Sequence, residues 1–438
     1  MPRLARIVLI VLFCVAMVPV NPASAATWPH DFYWGVATAG FQSEGSAPDS
    51  NWTRYVSSGG VDPYANATDF RTRYPEDIRL AADLGVNTFR FSVEWARVEP
   101  AQGVWDEREL AYYDDVVRHI RDAGMTPMIT LSHWVYPGWV ADQGGFTSAR
   151  TVEDFLAFTT RIAQRYSDVL WVTFNEPAVF LAQELKIGAV TPFRAAAWQA
   201  NVVQAHRRAY DEIHRLDPSA KVTSNQAFFA GVNPVMDLVV MDRIKDKVDF
   251  IGLDYYYGVS LANLTAIYAG FEQFWKVKLQ PEGIYYALRY YADRYPDLPL
   301  YIVENGMPTD NGKPREDGYT RAASIRDTLF WVQRAKADGL NVIGYNYWSI
   351  TDNYEWGSYR PRFGLYEVDA LGDPALTRKA TDGVAAYREV IAHGGVGPSY
   401  RLVQKPALCS LVDPLGSCVS PADPSGPLAP LGTSGARA

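Results

Sequence analysis

Trp171-Val172-Thr173-Phe174-Asn175-Glu176-Pro177 and Leu300-Tyr301-Ile302-Val303-Glu304-Asn305-Gly306 share one shape. Each is an apolar run of β type that stops at a glutamate, with a breaker, Pro177 or Gly306, just beyond. A strand that ends this way carries its acid at the C-terminal end, and in a parallel αβ barrel that end is the face where chemistry is done. Two such acids suggest a pair of carboxyl groups working together, and the commonest use of such a pair is cleavage of a glycosidic bond.

Six more strand candidates surround these two. In chain order the eight are Phe32–Ala39, Val86–Val93, Met125–Leu131, Leu170–Glu176, Val222–Asn225, Phe250–Tyr256, Leu300–Glu304 and Val342–Trp348. The segments between them repeat at helical spacing. In 106–123, Leu110, Tyr113, Val117 and Ile120 fall three and four apart, and Gly124 ends the helix. The stretches 153–166, 195–216, 282–295 and 321–338 read the same way. Strand and helix alternating eight times is the sequence form of an α/β fold, the (β/α)8 TIM barrel, here as a single catalytic domain over residues 26–393. Strands four and seven stand three apart around such a ring, so their terminal acids can converge on one sugar.

Before the barrel, Arg3 and Arg6 precede the apolar run 7–18, and Ala23-Ser24-Ala25 offers a small-residue cleavage site. Residues 1–25 therefore read as a secretory signal peptide and the chain as secreted, with no membrane partner once the signal is removed. After His393 the composition shifts to Pro, Gly, Ser and Ala, and 394–438 is expected to be an irregular tail, disordered beyond Cys418. Cys409 and Cys418 would pair in an oxidising compartment. The net charge of −8, without a basic cluster, argues against nucleic-acid partners. An aromatic share of 13% suits stacking on sugar rings, but a barrel of this size buries most of its aromatics as core, so the share selects no ligand.

Five ordered strings carry a resemblance. They are Phe32-Tyr33-Trp34-Gly35-Val36-Ala37-Thr38-Ala39-Gly40-Phe41-Gln42-Ser43-Glu44-Gly45, Arg90-Phe91-Ser92-Val93-Glu94-Trp95, Thr173-Phe174-Asn175-Glu176-Pro177, Ile302-Val303-Glu304-Asn305-Gly306 and Trp348-Ser349-Ile350-Thr351-Asp352-Asn353-Tyr354-Glu355-Trp356. Together they resemble glycoside hydrolase family 1, from residue 32 to about 364. The resemblance implies a retaining β-glycosidase of β-glucosidase type, with Glu176 as general acid/base and Glu304 as nucleophile. Gln42, His133, Trp134, Asn175, Glu355 and Trp356 would line the sugar pocket, and Trp348 would lie beneath the sugar. Arg90 and Tyr256 would neighbour the nucleophile. The phospho-glycosidases of the family carry a residue other than Glu355, so an unphosphorylated β-glycoside or oligosaccharide is the expected substrate.

Three departures from the family pattern stand out. Asp254 precedes Tyr255-Tyr256 where Asn is usual, which adds a third carboxyl and puts the pH optimum in question. Val135 follows His133-Trp134 where Asp is frequent. The interval from Glu176 to Glu304 is short for the family, which implies trimmed loops after strands four to six and a more open aglycone side. A transglycosidase using the same residues, and a catalytically idle carbohydrate-binding barrel, are the competing readings. A metal-dependent barrel hydrolase would need His and Asp ligands at several strand ends, and of six His only His133 is so placed, so no metal and no cofactor are expected.

Overall fold

The computed structural model describes residues 28–258, 265, 268, 273–407 and 409–433. The expected signal peptide at 1–25 lies outside them. Eight parallel strands close into a barrel: β1 Tyr33–Ala37, β2 Thr88–Ser92, β3 Thr126–Ser132, β4 Leu170–Asn175, β5 Lys221–Ala227, β6 Ile251–Asp254, β7 Leu300–Asn305 and β8 Val342–Trp348. Each pairs with the next, and β8 returns to β1 in the register Tyr33↔Gly344 to Ala37↔Trp348. The larger helices are α1 Phe70–Leu84, α2 Glu107–Asp122, α3 Arg150–Ala163, α4 Pro177–Lys186, α5 Ala195–Leu216, α6 Asn233–Val239, α7 Gly283–Arg294, α8 Arg321–Ala337 and α9 Asp382–His393.

The expected barrel is present strand for strand. Strand β5 runs longer than residues 222–225 because Gln226 and Ala227 pair with Leu253 and Asp254 of β6, a tertiary constraint that local propensity does not carry. Two hydrophobic layers result. Tyr33, Met128, Leu170, Val172, Tyr301, Val303 and Ile343, drawn from strands around the ring, fill the barrel interior. The alternate residues, such as Trp171, Phe174 and Ile302, face the helices in the larger core.

Strict alternation fails where the acids sit. Val172 points inward and Phe174 outward, yet the strand turns Asn175 to the site, and its pairing with β5 shifts register between Val172 and Asn175. In β7, Val303 lies in the inner cluster and its direct neighbour Glu304 also faces the cavity. The pairing on both sides of β7 is irregular there. Bulges of this kind re-aim a side chain at the rim of a barrel, and here they deliver the polar residues to the open end.

The tail differs from expectation. It is irregular apart from a short helix at Pro414–Val419, and Cys409 and Cys418 are disulfide-bonded. Beyond Cys418, however, it lies packed on the barrel through residue 433. The indole N–H of Trp34 donates to the Gly432 carbonyl at 2.9 Å. The Leu431 amide donates to the Gly394 carbonyl at 2.8 Å, Arg334 donates to the Pro427 carbonyl, and the Leu431 side chain is buried. A polar composition suggested disorder, but contacts of this kind with distant parts of the chain order it.

A chain ended after residue 418 loses the burial of Leu431, about 2 kcal/mol, and leaves the Trp34 indole without its partner, about 1–3 kcal/mol. Its Tm is expected to fall by about 4–6 °C in scanning calorimetry. An unchanged Tm would show the tail to be a passive appendage.

Candidate active site

The open end of the barrel holds a cavity of about 630 Å³. Gln42, His133, Trp134, Asn175, Glu176, Tyr256, Glu304, Trp348, Glu355 and Trp356 all line it. Arg90 does not reach the cavity and lies fully buried behind it.

Local sequence explains how the two glutamates are presented. Pro177 opens α4 at a position that needs no N–H, and a residue before proline is steered away from the right-handed helical region. Glu176 takes neither that region nor the extended one but left-handed torsions, φ 41° and ψ 61°, and its amide is held by the Asn225 carbonyl at 3.0 Å. Trp134 (φ 66°) and Trp356 (φ 54°) share that unfavourable region, so three cavity residues carry backbone strain that the surrounding fold imposes. Gly306, just past β7, is required: a Cβ there would meet the Trp348 carbonyl oxygen at 2.0 Å, and only glycine lets the ends of β7 and β8 come together.

Carboxyl oxygens of Glu176, Glu304 and Asp254 lie within 4.8 Å of one another. Glu304 is built to be an anion. Arg90 Nη1 donates to its Oε1, and the Tyr256 hydroxyl donates to its Oε2 at 2.9 Å. Glu176 receives no such support. Burial, and after it the charge of Glu304, hold its carboxyl well above the ordinary carboxylate range, with Arg90 only partly opposing. Asp254 is raised for the same reasons, burial first and then Glu304 and Glu176.

The rest of the pocket is wired for neutral hydroxyls. Asn175 Oδ1 accepts from Arg90 at 2.7 Å and from Asn225 at 2.6 Å, so its Nδ2 is the face left toward the cavity, 3.4 Å from His133 Nε2. Burial, reinforced by Arg90, pushes His133 well below its ordinary value and keeps the ring neutral. Glu355 accepts from the Trp348 indole at 2.7 Å and from Gln42 at 3.1 Å, and burial pushes its carboxyl up to about 8. Trp134 donates to the Asn175 carbonyl at 2.9 Å and packs edge-on against Trp356. It is a wall whose polar edge is already committed.

Sequence reasoning missed two groups. Asn225 ties Asn175 to Asp254 from within β5; an Asn buried in an otherwise strand-like run was the available signal. The outer wall is apolar, with Trp52, Val179, Phe228, Phe229, Tyr257 and Phe274. Phe228 and Phe229 directly follow β5, but nothing in a lone Phe pair distinguishes a cavity wall from core. Among the described residues, Glu176, Asp254 and Glu304 are the only His, Cys, Asp and Glu cluster spaced to hold a metal ion. Arg90 already occupies the cation's place beside Glu304.

Comparison with known proteins agrees with this geometry. The family model described as Glycosyl hydrolase family 1 matches residues 24–232 and 220–396. Beta-glucosidase A of Thermotoga maritima is 28% identical, covering 84% of this chain and 98% of its own. Beta-glucosidase 20 of Arabidopsis thaliana is 27% identical over 78% of this chain and 86% of its own. The galactolipid galactosyltransferase SFR2 of Arabidopsis thaliana, a chloroplast protein, is 30% identical over 73% of this chain and 57% of its own. Among solved structures, the family 1 β-glucosidase from Thermotoga maritima superposes with a TM-score of 0.73 at 26% identity, over 85% of this chain and all of that one. The β-glycosidase from Pyrococcus horikoshii gives 0.71 at 28%, over 83% and 95%. The chain belongs to glycosyl hydrolase family 1 and is an O-glycosyl hydrolase of the β-glucosidase type.

Proposed function

We propose that the protein hydrolyses terminal, non-reducing β-D-glucosyl or closely related β-glycosyl residues with retention of configuration. One observation carries this reading: the carboxyl groups of Glu176 and Glu304 approach within 4.8 Å, with opposite electrostatic settings. Retaining enzymes hold their two carboxyl groups about 5–5.5 Å apart, whereas inverting ones need about 6.5–9.5 Å to admit a water between.

In the first step Glu304 attacks the anomeric carbon as the glycosidic C–O bond breaks, and Glu176 gives its proton to the departing oxygen. The product is a glycosyl ester on Glu304. With Glu304 neutralised, the largest charge repelling an anion at Glu176 is gone. Glu176 then takes a proton from water, whose oxygen displaces the ester and regenerates Glu304. Asn175 Nδ2 is placed to donate to the sugar's 2-hydroxyl, where hydrogen bonds strengthen in the transition state. Glu355, Gln42 and Trp348 form a hydrogen-bonding edge for the other hydroxyls. Lys186 is the only cationic side chain among the described cavity residues, which supports an unphosphorylated sugar.

Transfer of the sugar to an acceptor other than water is the second reading. It is favoured by the likeness to a protein named galactolipid galactosyltransferase and by the apolar outer wall, which suits a bulky, water-poor acceptor. Export is also part of the proposal: it rests on the signal-like residues 1–25 and is supported by the disulfide, and amino-terminal sequencing of protein recovered from culture medium tests it.

Aryl β-glucoside, β-galactoside, β-fucoside, β-mannoside and β-xyloside, assayed with and without an added alcohol or sugar, identify glycone and acceptor. Glu304→Ala is expected to abolish turnover. Glu176→Ala should lose about 10²–10⁴-fold on substrates with poor leaving groups and much less where the leaving group needs no proton. NMR of the first-formed sugar should show the β-anomer. An α-anomer, or a Glu304→Ala protein of full activity, would refute the mechanism.

The pH dependence of kcat/KM should be bell-shaped. Glu176 must be protonated, so activity is lost as pH rises through its elevated pKa; Glu304 must be ionised, so activity is also lost on acidification.

A further inference from the structure

Asp254, the residue that departs from the family pattern, stands at the end of β6 opposite Glu304 in the strand pairing, fully buried and lining the cavity. Its hydrogen bonding is decided by a chain of donors that begins at Arg90. A guanidinium can only donate, so the atom of Asn175 that meets Arg90 Nη2 at 2.7 Å is its oxygen. The atom of Asn225 that meets the same oxygen at 2.6 Å is therefore nitrogen. The second hydrogen of that nitrogen goes to Asp254 Oδ2, which is fixed as an acceptor. Oδ1 of Asp254 remains, buried and without a hydrogen-bond partner among the described residues.

A buried carboxyl oxygen with no donor is costly, and the nearby groups narrow the remedies to one. Glu304 cannot help, because Arg90 and Tyr256 already supply both of its oxygens. A carboxyl oxygen of Glu176 lies within 4.8 Å of one of Asp254. Two carboxyl groups that close, beside the Glu304 anion, hold one proton between them more readily than two negative charges. We infer that Asp254 is a positioning residue that shares a single proton with Glu176, keeping the acid protonated and aimed at the departing oxygen. The inference rests on the reading of Glu176 as general acid.

The groups facing Asp254 agree. Arg90 from β2 is the one cation facing it among the described residues. The acids are Glu176 past β4, Glu304 on β7 and Glu355 beyond β8; Tyr256 past β6 and the neutral His133 complete the set. Burial first, and then the charge of Glu304, raise both Asp254 and Glu176. Charge also balances through the reaction. In the free enzyme Glu304 is one anion and the Asp254–Glu176 pair, with its one proton, is another. After the proton leaves with the aglycone, the pair carries two negative charges while Glu304 has become a neutral ester, so the site's total is unchanged. The proton taken from water in the second step restores the pair.

Asp254→Asn tests this. The amide has the same shape but cannot hold the shared proton, and its N–H would stabilise the Glu176 anion. The alkaline limb of kcat/KM is expected to move to lower pH by about one unit, a tenfold change in acid strength, while the acid limb moves by less than half of that. The loss of kcat should be larger for alkyl glucosides than for nitrophenyl glucosides. If the amide variant does not fold, Asp254→Ser is read in the same way with the same expected sign. An unmoved alkaline limb, or two limbs displaced equally, would overturn the inference, the latter by showing mere removal of a charge. The activity of the unaltered protein and of Glu176→Ala reports on the acid assignment itself, so failure there is distinguishable from failure here.

Discussion

One buried guanidinium holds the site together. Arg90 sits in the middle of β2 with no solvent contact, and its donors reach three other strands: Nε to Thr130 on β3 at 3.0 Å, Nη2 to Asn175 on β4 at 2.7 Å, and Nη1 to Glu304 on β7. A buried cation is tolerable only when its donors are used, and here each nitrogen has an oxygen assigned to it. Because Arg cannot accept a hydrogen bond, it also sets the direction of every bond downstream. Asn175 must present oxygen inward and nitrogen outward, and Asn225 must follow. The reactive end of the barrel inherits its polarity from this one residue.

The same cation divides labour among acids of similar intrinsic strength. Glu304 receives the guanidinium and a tyrosine hydroxyl, which favour its charge. Glu176 and Asp254, a few ångströms away, receive burial and like charge, which oppose theirs. One positive charge cannot stabilise three neighbouring anions in a medium of low dielectric, so a proton stays with the pair that lacks a direct contact to it. A nucleophile and an acid arise from two identical side chains through placement alone. The extra carboxyl of Asp254 sharpens this division, since it gives the acid a proton-holding partner where an amide would offer a donor.

Outside the sugar-sized polar floor the cavity changes character. Trp52, Val179, Phe228, Phe229 and Phe274 make an apolar wall. The floor pays attention to hydroxyl geometry through fixed donors and acceptors; the wall offers area without direction. Under the proposed function, such a site would select on the glycone more than on the leaving group or acceptor.

The number and order of the barrel strands were legible in the sequence because most are short apolar runs separated by segments of helical spacing, and the parallel sheet buries both faces of such runs. The two acids were legible for the same reason: Glu176-Pro177 and Glu304-Asn305-Gly306 mark strand ends by local chemistry. What local chemistry does not encode is pairing between strands. The register shifts that turn Asn175 and Glu304 inward, the extension of β5 that meets β6 at Gln226 and Ala227, and the bond from Asn225 to Asp254 exist only because distant segments adopt a common register. The tail makes the point again. Its composition suggests a chain with too little apolar surface to order itself, yet the Trp34 indole and the Gly432 carbonyl meet across 398 positions, Leu431 is buried, and the tail is ordered from outside. Composition and periodicity report what a segment does with its own neighbours; contacts paid for by the rest of the fold are set by the tertiary structure alone.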